Sequence, residues 1–144
     1  MTKTIDKFDG TEHAFLSNFF PSPFIYEGIK WPTVEHAYQA MKTLDLQSHL
    51  IISRIRTPGQ AKKAGRALNH LRDDWEEVKE PFMLTFIRLK FKIPELRVKF
   101  ILTGDAILIE GNTWGDRYWG QVNGVGKNRL GHLLMQHRSE LTEF

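Results

Sequence analysis

The 144-residue chain contains no cysteine. That excludes a disulfide framework, a thiolate nucleophile and any zinc site built on cysteine. No apolar run approaches the ~20 residues needed to span a bilayer. The segment Met1-Thr2-Lys3-Thr4-Ile5-Asp6 lacks the apolar stretch of a secretory signal. The expectation is therefore a cytoplasmic protein with no membrane partner. Metal-binding patterns are missing as well. There is no H-E-x-x-H, and the pairs Glu12-His13 and Glu35-His36 are adjacent residues that do not face one centre. His132 and His137 fall off one helical face. Neither a bound metal nor a cofactor is expected. A serine-hydrolase reading has no support, because no G-x-S-x-G occurs. Repeats, low-complexity tracts and linkers are also absent, so residues 1–144 are expected to form a single domain.

Hydrophobic residues make up 41% and charged residues 26% of the chain, the balance of an ordinary globular protein. The net charge of +3 suits a phosphate-bearing ligand without demanding nucleic acid. Aromatic residues are plentiful, with 10 Phe, 4 Trp and 3 Tyr. The Phe residues are expected in the core. The Trp and Tyr residues beside glycine-rich loops are better candidates for stacking on a base or a sugar.

Local signals predict a mainly helical α+β domain with a small sheet or hairpin. Phe24-Ile25-Tyr26 and Ile29-Lys30-Trp31 flank Glu27-Gly28 and read as a hairpin. A helix capped by Thr33 ends near Thr43, and a second covers about Ser48 to Arg56. Thr57-Pro58 then restarts a helix that holds Lys62, Lys63 and Arg66. Asp73-Asp74 caps a further helix from about Trp75, which Pro81 should kink or split. The dense apolar spacing from Phe82 to Phe91 marks a central piece. Pro94 opens another helix, which Gly104 stops. Ala106 to Ile109 reads as a short strand, and Arg129 to Glu140 as the last helix.

Three stretches carry candidate chemistry. In the Thr33 helix, Glu35, Gln39 and Lys42 stand at i, i+4 and i+7 and border the apolar face formed by Val34, Ala37, Tyr38 and Met41. The helix dipole favours an ionised Glu35 in the first turn. The same spacing also suits an ordinary solvated stripe. The second stretch runs from Glu110 to Gly131, with Trp114, Asp116, Arg117, Tyr118, Trp119 and five glycines before Asn128. So long a loop is often functional. Its glycines, including Gly120 and Gly126, together with the following helix start, Lys127 and Arg129, fit an anion site. Structural turn glycines are the alternative. The third is Ser17-Asn18, polar residues in an aromatic cluster, which fit either a ligand or a local turn. Lys62, Lys63 and Arg66 are expected to draw an acidic substrate by long-range attraction.

The order of these blocks resembles the YbiA-like, or NADAR, family of N-glycosidases. The matching residues are Leu16-Ser17-Asn18-Phe19, Trp31-Pro32-Thr33-x-Glu35-His36-x-Tyr38-Gln39-Ala40-x-Lys42, Ala61-Lys62-x-x-Gly65-Arg66, Arg72-x-Asp74-Trp75-x-x-Val78-Lys79, Lys90-Phe91, Asp116-x-x-Trp119-Gly120, and Gly126-Lys127-Asn128-Arg129-Leu130-Gly131 with Leu134-Met135. Gln121 stands where the family often has a further glycine. The resemblance implies hydrolysis of a bond between ribose C1 and a base nitrogen in a phosphorylated riboside. The implied substrates are a phosphoribosylamino-pyrimidine of riboflavin synthesis, or ADP-ribose carried on guanine in DNA or RNA. It implies Glu35, Lys42 and Asp116 as catalytic residues. Ser17, Asn18, Trp75, Tyr118, Trp119, Gly120, Gly126, Asn128 and Arg129 are the implied substrate contacts. Lys42 is either a phosphate ligand or a nucleophile on C1. A non-catalytic reader of ADP-ribose, NAD or nucleic acid would use the same groups.

Overall fold

A computed structural model describes residues 2–143 of the chain. It resolves into two compact units, one formed by residues 1–17 and 91–144 and the other by residues 18–90. Among the described residues the secondary structure is seven α-helices, one 3-10 turn and four short strands, so the mainly helical α+β expectation holds.

The unit of residues 18–90 opens with the predicted hairpin. Strands β2 (Phe24–Tyr26) and β3 (Ile29–Trp31) pair antiparallel, with Phe24 opposite Trp31. Glu27 and Gly28 turn the chain at φ 53° and 75°, the two left-handed positions that a tight hairpin turn requires. Helix α2 (Val34–Ala40) follows, with the Thr33 hydroxyl accepting the His36 N–H. Helix α3 (Leu46–Ser53) starts earlier than its apolar pattern suggested, because Asp45 accepts the Ser48 N–H and serves as its cap. Helix α4 (Pro58–Arg66) begins as expected from the Thr57 cap and Pro58.

Helix α5 (Trp75–Lys90) is one 16-residue element, so Pro81 does not split it. The proline removes a single backbone donor. Buried Met83, Phe86 and Ile87 follow at helical spacing and hold the second half in register. Phe86 receives Phe24 at 5.7 Å and Tyr26 at 5.1 Å between ring centroids, which ties the hairpin to the helix. The fully buried Phe86 ring contributes about 1.5–3 kcal/mol of transfer free energy.

In the unit of residues 1–17 and 91–144, β1 (Thr4–Ile5) pairs in parallel with β4 (Ile107–Leu108). Helix α1 (Gly10–His13) and a 3-10 turn, Ala14–Leu16, follow β1. Helix α6 (Pro94–Leu102) ends at Gly104, whose φ of 62° suits a residue without a side chain. Helix α7 (Arg129–Thr142) closes the chain. Phe91 stacks on Phe100 at 3.9 Å, Phe15 meets Phe91 edge-on, and Leu16, Leu108 and Leu134 are buried with them. The buried Arg138 donates to the Thr103 hydroxyl at 2.9 Å and the Ala106 carbonyl at 2.7 Å, joining α7 to the end of α6. Among the described residues no helix is long and apolar enough to cross a membrane.

His36 shows how tightly α2 is anchored. It is fully buried. Its Nε2–H donates to the Ile55 carbonyl at 2.8 Å, which leaves Nδ1 to accept the Thr33 hydroxyl at 2.7 Å. Burial pushes its pKa below the ordinary 6.5, against the smaller opposing effect of the Ile55 bond. The unfolded chain therefore takes up a proton that the folded chain resists. The stability due to neutral His36 is present above about pH 6.5 and is lost as pH falls through that value toward the lowered folded pKa. Melting temperatures measured from pH 7.5 down to 5.5 should fall more steeply for the wild type than for His36→Gln. Equal slopes would contradict this role.

Candidate functional site

The candidate residues divide between the two units. Residues 18–90 carry Asn18, Glu35, Lys42 and Trp75. The other unit carries Ser17, Asp116, Tyr118, Trp119, Gly120, Gly126, Asn128 and Arg129.

On α2 the polar stripe lies on the packed side of the helix. Glu35 and Gln39 are buried, and the Gln39 Nε2–H donates to Glu35 Oε2 at 2.7 Å. The Glu35 N–H donates to the Asn18 carbonyl at 3.1 Å, so Asn18 meets α2 through its backbone. The Asn18 side chain points elsewhere, with Nδ2 3.5 Å from Met83 Sδ. Lys42 is half-buried, and its Nζ lies 5.9 Å from the centre of the Tyr38 ring. Desolvation lowers its pKa from the ordinary lysine value. The Glu35 carboxylate opposes that shift, and the charges of Arg66 and Lys62 reinforce it. The result is a lysine less basic than usual beside a carboxylate, an arrangement suited to nucleophilic or proton-transfer chemistry. Trp75 is buried against Tyr38, with ring centroids 5.2 Å apart, and backs the helix as a wall.

Two features of this region were not singled out from sequence. An added Cβ on Gly65 would lie 2.0 Å from Gln39 Oε1, so α4 meets α2 at a point where no side chain fits. Arg72 forms a bidentate pair with Asp74, at 2.6 and 3.2 Å, while its own N–H donates to the Lys42 carbonyl at 2.8 Å. It thereby fixes the end of α2. The Arg72-x-Asp74 spacing was visible, but its target was not.

In the other unit Asp116 organises its own loop. Its Oδ1 accepts the N–H groups of Tyr118 at 3.0 Å and Trp119 at 2.9 Å. Asn112 brackets the same turn through Asp116 N and O. Tyr118 and Trp119 meet edge to face at 4.9 Å, with Lys127 Nζ 5.6 Å from the Tyr118 ring centre.

The helix start after this loop is closed by the loop's own carbonyls. The N–H groups of Lys127, Asn128, Arg129 and Leu130 donate to the carbonyls of Arg117, Gly120, Tyr118 and Trp119 at 2.8–3.2 Å. These four backbone donors are therefore already taken. Asn128 holds the left-handed conformation at φ 51°, is buried, and spends both ends of its amide on the backbone of Leu108 and Glu110. The glycines serve close approach. A Cβ on Gly120 would meet the Glu110 carbonyl at 2.0 Å, and one on Gly126 the Gly120 carbonyl at 2.3 Å. A cleft of about 570 Å³ lies in this unit alone, lined among others by Asp6, Ser17, Glu110, Asn112 and Trp114.

Comparison with known proteins places these residues in context. The model of the NADAR domain matches residues 6–142. The chain is 43% identical to N-glycosidase YbiA of Shigella flexneri over 98% of its own length and 91% of that protein. It is 35% identical to a riboflavin biosynthesis protein of Vibrio vulnificus over 91% of its length, which is 36% of that protein. The solution NMR structure of Escherichia coli YbiA superposes with a TM-score of 0.85 at 42% identity, covering 98% of this chain and 86% of that one.

The α2–α4 contact yields a paired prediction. Gly65→Ala must push Gln39 aside and should cost about 1–3 kcal/mol, as overpacking does. Gly59, on the same helix, has nothing within 4 Å of an added Cβ. Gly59→Ala should be neutral or stabilise by up to about 1 kcal/mol. Urea unfolding of both variants checks the contrast, and similar midpoints would refute it.

Proposed function

Since the chain belongs to the NADAR domain family, we propose that it is an N-glycosidase, a hydrolase that cleaves the bond between ribose C1 and a base nitrogen in a phosphate-bearing riboside. The observation that carries this reading is the half-buried Lys42, its basicity lowered by desolvation, beside the Glu35–Gln39 pair on α2. The names of the relatives, N-glycosidase and riboflavin biosynthesis protein, agree with it. A phosphoribosylamino-pyrimidine is the substrate class favoured by the second name. ADP-ribose on guanine in DNA or RNA is the alternative that the activity screen must include.

Cleavage develops positive charge at C1. Glu35 stabilises that charge and moves protons, with its carboxylate oriented by Gln39. Lys42 attacks C1 of the opened sugar as a neutral amine. The C1–base bond breaks as the base nitrogen takes up a proton, and a Schiff base to Nζ remains. Water then adds to C1 and releases the amine. Asp116, the third catalytic candidate, organises Tyr118 and Trp119 within its own unit. Ser17, Gly120, Gly126 and Arg129 in that unit, and Asn18 in the other, are candidate contacts each within its own unit, and Asn128 is a positioning residue there. Trp75 contributes through Tyr38.

Glu35→Gln keeps the shape of the side chain and removes its charge. It should lower kcat on the order of 100- to 1000-fold while ligand binding survives. Retained turnover would remove the centre of the reading. The kcat/KM of the wild type should rise with pH along a limb whose midpoint lies below the ordinary lysine value of 10.5, because the amine must lose its proton to attack. A kcat/KM that instead falls as the amine loses its proton would assign Lys42 to phosphate pairing.

A further inference from the structure

We propose that Lys62 and Arg66 of α4 bind the phosphate of the substrate, and that they select phosphorylated ribosides over unphosphorylated ones. The inference rests on the N-glycosidase reading for the identity of the substrate and adds the residues that recognise its anionic end.

The contact between α2 and α4 carries it. Ala61 and Gly65, both buried, form the packed face of α4, with Gly65 set directly on Gln39. Lys62 and Arg66 each follow one position later, so they form an i, i+4 pair along the edge of that face. On the facing helix, Gln39 belongs to the stripe of Glu35 and Lys42. The seam thus sets a two-cation stripe beside the carboxylate and the amine. Lys62 is half-buried and Arg66 exposed, so a guanidinium fork and an ammonium are presented at the rim. The proximity is electrostatic as well as geometric, because both charges act on the Lys42 amine.

The surrounding sequence keeps this edge positive. Residues 46–72 contain six Lys and Arg and no Asp or Glu. Of these six, Arg72 is bound to Asp74. The Glu35 carboxylate offsets part of this positive charge, and an anion bound on α4 offsets more. With phosphate on α4, Lys42 is left for C1.

The test is calorimetric binding of ribose 5-phosphate and of ribose to the full chain, in the wild type, Lys62→Gln/Arg66→Gln and Lys63→Gln. The wild type should prefer ribose 5-phosphate. The double variant should lose on the order of 10- to 100-fold in affinity for it, the worth of charge-assisted hydrogen bonds, with ribose binding unchanged. The exposed Lys63→Gln should behave as wild type. Equal binding of the two sugars by the wild type would overturn the proposal. So would an unaltered preference in the double variant, an equal loss for both sugars, or the same loss in Lys63→Gln. Binding is read without turnover. A chain that keeps this phosphate preference but releases base from no riboside would overturn the glycosidase reading and leave the phosphate pair standing.

Discussion

Helices α2 and α4 approach each other as closely as they do because position 65 has no side chain. Gln39 fills the space that a Cβ would occupy, and in that position its amide reaches Glu35 at 2.7 Å. Several properties of the region follow from this one steric fact. Glu35 is buried yet hydrogen-bonded, which a lone carboxylate at that depth would not tolerate. Lys42, at the next turn of the same stripe, is partly withdrawn from water. The cations of α4 lie near enough to oppose its charge. Both ends of α2 are then fixed by other groups, Thr33 and His36 at the start and the Arg72 N–H on the Lys42 carbonyl at the finish. A short helix held in this way keeps a carboxylate and an amine in a constant relation, and preorganisation is what such chemistry needs.

The loop of residues 110–128 reaches order by a different route. It has little regular structure, but its carbonyls at 117–120 satisfy the first donors of α7, and the Asp116 carboxylate satisfies the next turn of the loop itself. Buried Asn128 ties both to the β4 strand. Much of the backbone in this stretch is therefore bonded within the protein itself.

Where the determining interaction was local, the amino-acid pattern announced it. Thr33, Thr57-Pro58 and Glu27-Gly28 act within three or four residues, and the hairpin and helix starts they imply are present. The stripe of Glu35, Gln39 and Lys42 was legible for the same reason, since helical spacing alone puts them in line. Asp45 caps α3 ahead of the point where its apolar pattern becomes readable. Pro81 does not split α5, because tertiary burial of Met83, Phe86 and Ile87 outweighs one missing hydrogen bond. Other features were not legible because their causes are non-local. The parallel pairing of β1 with β4 joins residues about a hundred positions apart. The fit of Gly65 on Gln39 depends on how two helices dock. The glycines and helix start of the 110–131 stretch suggested an anion site, and the carbonyls that occupy those donors lie ten or so residues upstream in a loop without periodicity.

The central claim is that Lys42 forms a covalent intermediate with Glu35 beside it, and trapping tests it most directly. Borohydride added while the wild type turns over a phosphoribosylamino-pyrimidine or ADP-ribosyl-guanine DNA should reduce the Schiff base and add the mass of the sugar portion to a peptide containing Lys42. Lys42→Arg should show no adduct and no turnover, because a guanidinium is not nucleophilic. Turnover without any adduct in the wild type, together with substantial activity in Lys42→Arg, would contradict the account.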